Sequence, residues 1–170
     1  MFEQKNKMKA FRVIVAITFL LTISQYHSAA QDVKKINIAD LEKILSSRTD
    51  KLYVLNLWAT WCAPCVKELP AFEKVAAEYD RSKVEFIMIS LDFPSQIETQ
   101  LIPFLKKRQI KLDVSVIMET DHNLWIEKVD PSWQGNIPST LFFNNSDRKR
   151  HFHPGEIDEN ELRKMIKKLI

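Results

Sequence analysis

Residues 57–70 read LWATWCAPCVKELP and hold both cysteines of the 170-residue chain, Cys62 and Cys65, with Trp61 directly before the first. Upstream, LYVLNLW at 52–58 is almost continuously apolar, as suits a central strand covered on both faces. Downstream, Leu69, Phe72, Val75 and Ala76 recur at helical spacing, so a helix is expected from the cysteines to about Tyr79. The pair therefore stands where a buried strand turns into a helix, and the rest of the chain is read outward from that junction.

Three chemistries compete for such a pair. A structural staple is a poor reading, because a bridge that closes two intervening residues removes little entropy from the unfolded chain. A tetrahedral zinc site needs further ligands, and there is no second cysteine pair. His151 and His153 form an HxH pair, but alternate residues of a strand share a face, and two surface histidines are the plainer reading. A redox couple fits best. In the first helical turn Cys62 and Cys65 come within disulfide reach, and Pro64 is tolerated where an amide has no intrahelical acceptor. Cys62 faces the positive end of the helix dipole and free backbone N–H groups, which favour its thiolate, whereas Cys65 lies deeper. Cys62 is thus the expected exposed nucleophile and Cys65 the resolving thiol.

The first thirty residues read as an export signal. Lys5, Lys7, Lys9 and Arg12 precede an eleven-residue run, Val13 to Ile23, and the small-residue ending SAA leads to expected cleavage after Ala30. That run falls short of the roughly 20 apolar residues a membrane span requires. The leader contains four of the 25 basic residues and one of the 22 acidic ones, so residues 31–170 are balanced in charge. Without a basic surplus or a basic cluster interleaved with aromatics, no nucleic-acid partner is expected. About 140 residues suffice for one domain, and export places the cysteines where accessible pairs oxidise unless electrons are supplied.

Along that domain, strands are expected at Val33–Ile38, Leu52–Trp58, Val84–Asp92 and Leu112–Met118. Helices are expected at Asp40–Ser46, at Gln96–Arg108 behind a Ser95/Glu98 capping box, and at His122–Lys128. A hairpin follows, STLFFN at 139–144 with a turn at 145–147 and a strand at Lys149–His153, and then a helix capped by Asp158. This order indicates an α/β domain of three layers. Gly135 and Gly155 suit turns; Trp58, Trp125 and Trp133 suit the core.

WCAPC at a strand-to-helix junction, Pro70 five residues after Cys65, and IPST with Pro138 before a hairpin strand together resemble the thioredoxin superfamily. The inserted helix and strand at about 93–118 resemble its envelope branch, the TlpA- and ResA-like proteins and the cytochrome c maturation thioredoxins. The resemblance implies a thioredoxin-like fold with a central mixed sheet flanked by helices. It implies an exported thiol–disulfide oxidoreductase that reduces disulfides of envelope proteins, acts as a monomer, draws on a membrane electron donor and uses no cofactor beyond the Cys62–Cys65 disulfide. It further implies a cis Pro138 opposite that disulfide, Ile137 offering backbone hydrogen bonds, a substrate-binding groove of Trp61, Ala63, Pro64, Ile137 and Pro138, and Pro70 kinking its helix.

Two positions refine the expectation. Many thioredoxins carry a buried aspartate where this chain has Asn56, which cannot relay a proton and is read equally well as bonding nearby backbone. Glu68 lies one turn after Cys65 on the same face, and the resemblance to the envelope branch implies a place near the active site; if buried, its pKa would rise and suit it to take the Cys65 proton, the alternative being a solvated helix carboxylate. The competing reading is a redox-inert binding module or metal chaperone on the same fold. Peroxidase chemistry is disfavoured, since no lone cysteine stands in a peroxidatic context.

Overall fold

Every residue of LYVLNLW is buried, and the run forms strand β2, Leu52–Trp58. The computed structural model describes residues 32–170, and the leader proposed at 1–30 lies outside the described residues. In chain order the other elements are β1 (Lys34–Ile36), α1 (Ile38–Leu45), α2 (Ala63–Ala76), β3 (Val84–Ser90), α3 (Ile102–Arg108), β4 (Val114–Ile117), α4 (Ile126–Val129), β5 (Ser139–Asn144), β6 (Lys149–Pro154) and α5 (Glu159–Leu169).

The strands form one mixed sheet in the order β1-β4-β3-β2-β5-β6. β1, β4, β3 and β2 run parallel; β5 and β6 are antiparallel. β2 lies at the centre, paired with β3 through Leu52–Val84 to Trp58–Ser90 and with β5 through Leu57–Ser139. Its burial on both faces explains its lack of apolar/polar alternation. Asn56 and Trp58 point to the side of the sheet where α2 and α3 pack: Asn56 bonds Glu68, and Trp58 meets Phe104 at 5.8 Å between ring centres. The ion pair Lys74–Glu159 joins α2 to α5, Glu78 just past α2 pairs with Arg163 of α5, and Glu42–Lys128 joins α1 to α4. Trp58, Trp125 and Trp133 are all buried, the latter two in contact at 5.6 Å. The architecture is a thioredoxin-like α/β fold with helices on a central mixed sheet.

Several boundaries differ from those expected. β1 is three residues long, because Asn37 ends it by capping α1: its side chain accepts the Asp40 N–H at 2.9 Å while Asp40 accepts the Asn37 N–H at 3.1 Å. Such a reciprocal box satisfies two otherwise orphaned amides. Asn37→Ala is expected to lower stability by about 1 kcal/mol, measured by urea unfolding, with the sheet intact. The strand after residue 83 ends at Ser90, two residues early, and the next begins at Val114.

The expected helix at 96–108 is interrupted. A single 3₁₀ turn at Pro94–Gln96 leads into a wide, π-wound turn at Ile97–Leu101, and α-helical geometry begins only at Ile102. The Ser95/Glu98 box does not form; Gln96 instead accepts the Phe93 N–H at 3.2 Å. Pro103 supplies a physical reason, since it has no N–H for an α-type bond back to residue 99. Likewise the stretch at 122–128 is a 3₁₀ turn, His122–Leu124, followed by the short α4. The hairpin falls at 139–154 with Arg148 in the left-handed region, and Asp158 caps α5 by accepting the Asn160 and Glu161 N–H groups.

Candidate active site

After β2 the chain turns sharply. The Cys62 N–H donates to the Ala59 carbonyl at 3.2 Å, closing a four-residue turn through Thr60 and Trp61. Cys62 is extended (φ −89°, ψ 100°) and caps α2, its Sγ accepting the Cys65 N–H at 3.3 Å. Ala63 and Pro64 occupy the first helical positions, where the missing proline N–H leaves nothing unpaired. Cys62 and Cys65 form a disulfide with Cα atoms 5.2 Å apart. Cys65 is fully buried and Cys62 retains 6% of its surface, so Cys62 is the more accessible sulfur but, in the disulfide, a largely covered one. α2 continues through Pro70 to Ala76, which excludes a fresh helix start at that proline.

Glu68, one turn beyond Cys65, is only 3% exposed. Its Oε1 accepts from Asn56 Nδ2 at 2.8 Å, and its Oε2 accepts the Ile157 N–H at 2.9 Å. Asn56 also donates to Thr140 Oγ1 at 3.1 Å. Asn56 thus bonds side chains of α2 and β5 rather than neighbouring backbone. Burial pushes the Glu68 carboxyl up from its ordinary range to about 7, against the opposing pull of the Ile157 and Asn56 hydrogen bonds. A carboxyl titrating there can both accept and return a proton near neutral pH.

The Ile137–Pro138 bond is cis, and β5 starts immediately after it. Because Ser139 pairs with Leu57, this bond lies at the same end of the sheet as the turn to Cys62. The Pro138 carbonyl accepts the Gly155 N–H at 2.9 Å, and both Gly135 and Gly155 have positive φ, the backbone that glycine adopts without strain. Among the described residues the Ile137 N–H and carbonyl have no hydrogen-bond partner. Trp61 is 56% exposed, and Ala63 and Pro64 are exposed with it, while Ile137 is half-buried and Pro138 buried. These groups leave exposed apolar side chains next to Cys62 and two free backbone groups at the same end of the sheet.

One part of this end of the molecule was not foreseen. Asp92, 2% exposed just past β3, accepts the Thr60 N–H at 3.0 Å, the Thr60 hydroxyl at 2.5 Å and the Ser90 hydroxyl at 2.6 Å. Gln100, in the π-wound turn, donates to Thr60 Oγ1 at 2.9 Å. The sequence signal was an acid closing a largely apolar strand, VEFIMISLD. Phe93, next to Asp92, is 55% exposed. The histidines stand apart from this constellation: His151 and His153 lie on β6, where burial holds the His151 pKa below its usual value, and His122 packs on Trp125.

Comparison with known proteins follows the same outline. The profile of the AhpC/TSA family matches residues 19–146. The chain is 37% identical over 71 residues to the thiol-disulfide oxidoreductase ResA of Oceanobacillus iheyensis, covering 42% of this chain and 33% of that one. It is 22% identical over 140 residues to the thioredoxin-like protein YneN of Bacillus subtilis, covering 81% and 76%. The chain spans less than half the length of the ResA proteins of O. iheyensis and Bacillus cereus strain ZK. Among solved structures, a thioredoxin-related protein from Neisseria meningitidis serogroup B superposes with a TM-score of 0.62 at 26% identity, over 72% of this chain and 87% of that one.

Proposed function

From the premise that the chain belongs to the AhpC/TSA family, we propose that it is a thiol–disulfide oxidoreductase working through Cys62 and Cys65. The observation that carries this reading is a disulfide at a helix N-terminus with a buried carboxyl titrating near 7 one turn further on. Relatives named as thiol-disulfide oxidoreductases support it.

In the reduced form the Cys62 thiolate, capped by the Cys65 N–H and the helix N-terminus, attacks one sulfur of a substrate disulfide. A Cys62–substrate disulfide forms, the substrate's own S–S bond breaks, and one substrate sulfur leaves as a thiolate that takes a proton from water. Glu68 takes the proton from Cys65, whose thiolate attacks Cys62 Sγ. The mixed disulfide breaks, the Cys62–Cys65 disulfide forms, and the second substrate thiol leaves with the proton. Two electrons and the Cys65 proton have passed to the substrate, the second proton coming from water, and an external dithiol resets the pair by the reverse sequence.

Asn56 serves Glu68 in either state. Its Nδ2 donates to the carboxylate, and after an amide flip its Oδ1, which has no partner among the described residues, accepts from the protonated acid. Thr140 tolerates both orientations, because a hydroxyl donates as readily as it accepts.

The reading extends to direction and place. The chain acts as a monomeric reductant of disulfides in envelope proteins, exported by the leader at 1–30, recharged from a membrane donor and needing no cofactor besides the cysteine pair. The leader pattern supports export, and relatives named as thiol-disulfide oxidoreductases support the disulfide chemistry. Among the described residues no helix is long and apolar enough to cross a membrane. The test is the reduction potential, by equilibration with dithiothreitol or glutathione. A reversible two-electron couple at about −200 to −300 mV is expected; a value near about −120 mV overturns the reductant reading, and no reversible couple overturns the activity.

The substrate, an extended segment of a partner protein, lies on Trp61, Ala63, Pro64 and Pro138 and pairs with the free backbone groups of Ile137. Trp61→Ala is expected to raise KM about five- to tenfold with kcat within about twofold and an unchanged melting temperature, since an exposed side chain leaves no cavity.

A further inference from the structure

The turn that delivers Cys62 is held from behind. Thr60 is the first corner residue of the Ala59–Cys62 turn, and both of its donors, N–H and O–H, end on Asp92. Thr60 Oγ1 accepts from Gln100 Nε2 and Ser90 Oγ accepts the Asp92 N–H at 3.0 Å, while both hydroxyls donate to the Asp92 carboxylate. With the Thr60 N–H, that makes three donors converging on a group that is all but inaccessible to water. An ionised carboxylate, which only accepts, satisfies all three. Gln100 reaches this cluster from the segment that a single regular helix would have formed, and its turn is π-wound, a geometry that recurs at functional sites.

We propose that Asp92 is a positioning residue for Cys62, fixing the turn that ends on the nucleophile and setting a buried negative charge on that turn, with Gln100 as the latch from the inserted segment. A like charge opposes thiolate formation, so Asp92 disfavours the reduced form of the pair and keeps it a reductant. This inference rests on the oxidoreductase reading, and the test separates the two.

The experiment measures the equilibrium of the full chain with glutathione for the wild type, Asp92→Asn, Thr60→Val and Thr60→Ser, together with the pH dependence of Cys62 alkylation by iodoacetamide. Asp92→Asn keeps the shape and removes the charge: the equilibrium is expected to move about tenfold toward the reduced form, about 30 mV upward, and alkylation to set in at lower pH. Thr60→Val leaves the charge with one donor fewer, and the shift is expected in the opposite direction by about threefold, while Thr60→Ser restores the wild-type equilibrium. A general loosening of the fold would not produce shifts of opposite sign. The inference is overturned if Asp92→Asn stays within twofold of wild type or moves toward the oxidised form, or if Thr60→Val shifts the same way as Asp92→Asn. If Asp92→Asn does not fold, Thr60→Val against Thr60→Ser decides, and equal equilibria overturn it. A wild type without a reversible couple overturns the oxidoreductase reading itself.

Discussion

Replacing Cys62 with serine is expected to abolish disulfide reduction, lowering the rate of insulin reduction in the presence of dithiothreitol by on the order of a thousandfold or more. A serine hydroxyl is not ionised near neutral pH and cannot form the mixed disulfide. Cys65 cannot take over, because it is fully buried one turn inside the helix. The fold should survive, since the disulfide closes a short loop and contributes little to stability, which circular dichroism of the variant checks. Equal rates for the wild type and Cys62→Ser would instead describe a thioredoxin-fold module that binds without redox chemistry.

Glu68→Gln is expected to change both the pH profile and the stability curve. With its pKa raised to about 7 by burial, Glu68 in the folded protein holds a proton that the unfolded chain, near 4.5, has already released. Between those values the native state binds more protons, so stability falls as pH rises. The group's contribution is fully present below about 4.5 and lost as pH passes about 7, and its full size is about 3 kcal/mol. Glutamine does not titrate, so the stability of the wild type relative to Glu68→Gln should decline by about that amount from pH 4 to pH 9, measured by urea unfolding with the disulfide intact. In the reaction, the variant loses its proton acceptor for Cys65. Resolution of the mixed disulfide should slow by on the order of a hundredfold at pH 7, and the inflection near neutral pH should disappear from the rate profile. A parallel pair of stability curves would place Glu68 in contact with solvent water and outside this chemistry.

How much of this was legible beforehand depends on the range of the interaction. β2 and β5 were readable residue for residue, because a strand buried on both faces carries runs of consecutive apolar residues, LYVL in the first and LFF in the second, and a polar turn follows β5. The cysteine pair and Glu68 were readable because helical spacing alone puts positions three apart on one face. What surrounds Glu68 was not: Thr140 and Ile157 come from strands and loops far along the chain, and only the fold brings them to Asn56 and α2. Asp92 was missed for the same reason. Its partner Thr60 lies 32 residues away, and an acid at the end of a strand shows nothing in the sequence of the partner it will meet. In the inserted segment two local signals competed, and the Ser95/Glu98 box gave way to a cap from Gln96 and to the constraint of Pro103.

The central claim, that Cys62 exchanges electrons with protein disulfides and Cys65 resolves the intermediate, is tested most directly by trapping that intermediate. In cells making the full chain as Cys65→Ser, covalent adducts through Cys62 should accumulate, disappear on treatment with dithiothreitol, and be missing from the Cys62→Ser/Cys65→Ser variant. If no adduct forms while Cys62 of Cys65→Ser is reduced and reacts with a maleimide, the account is wrong.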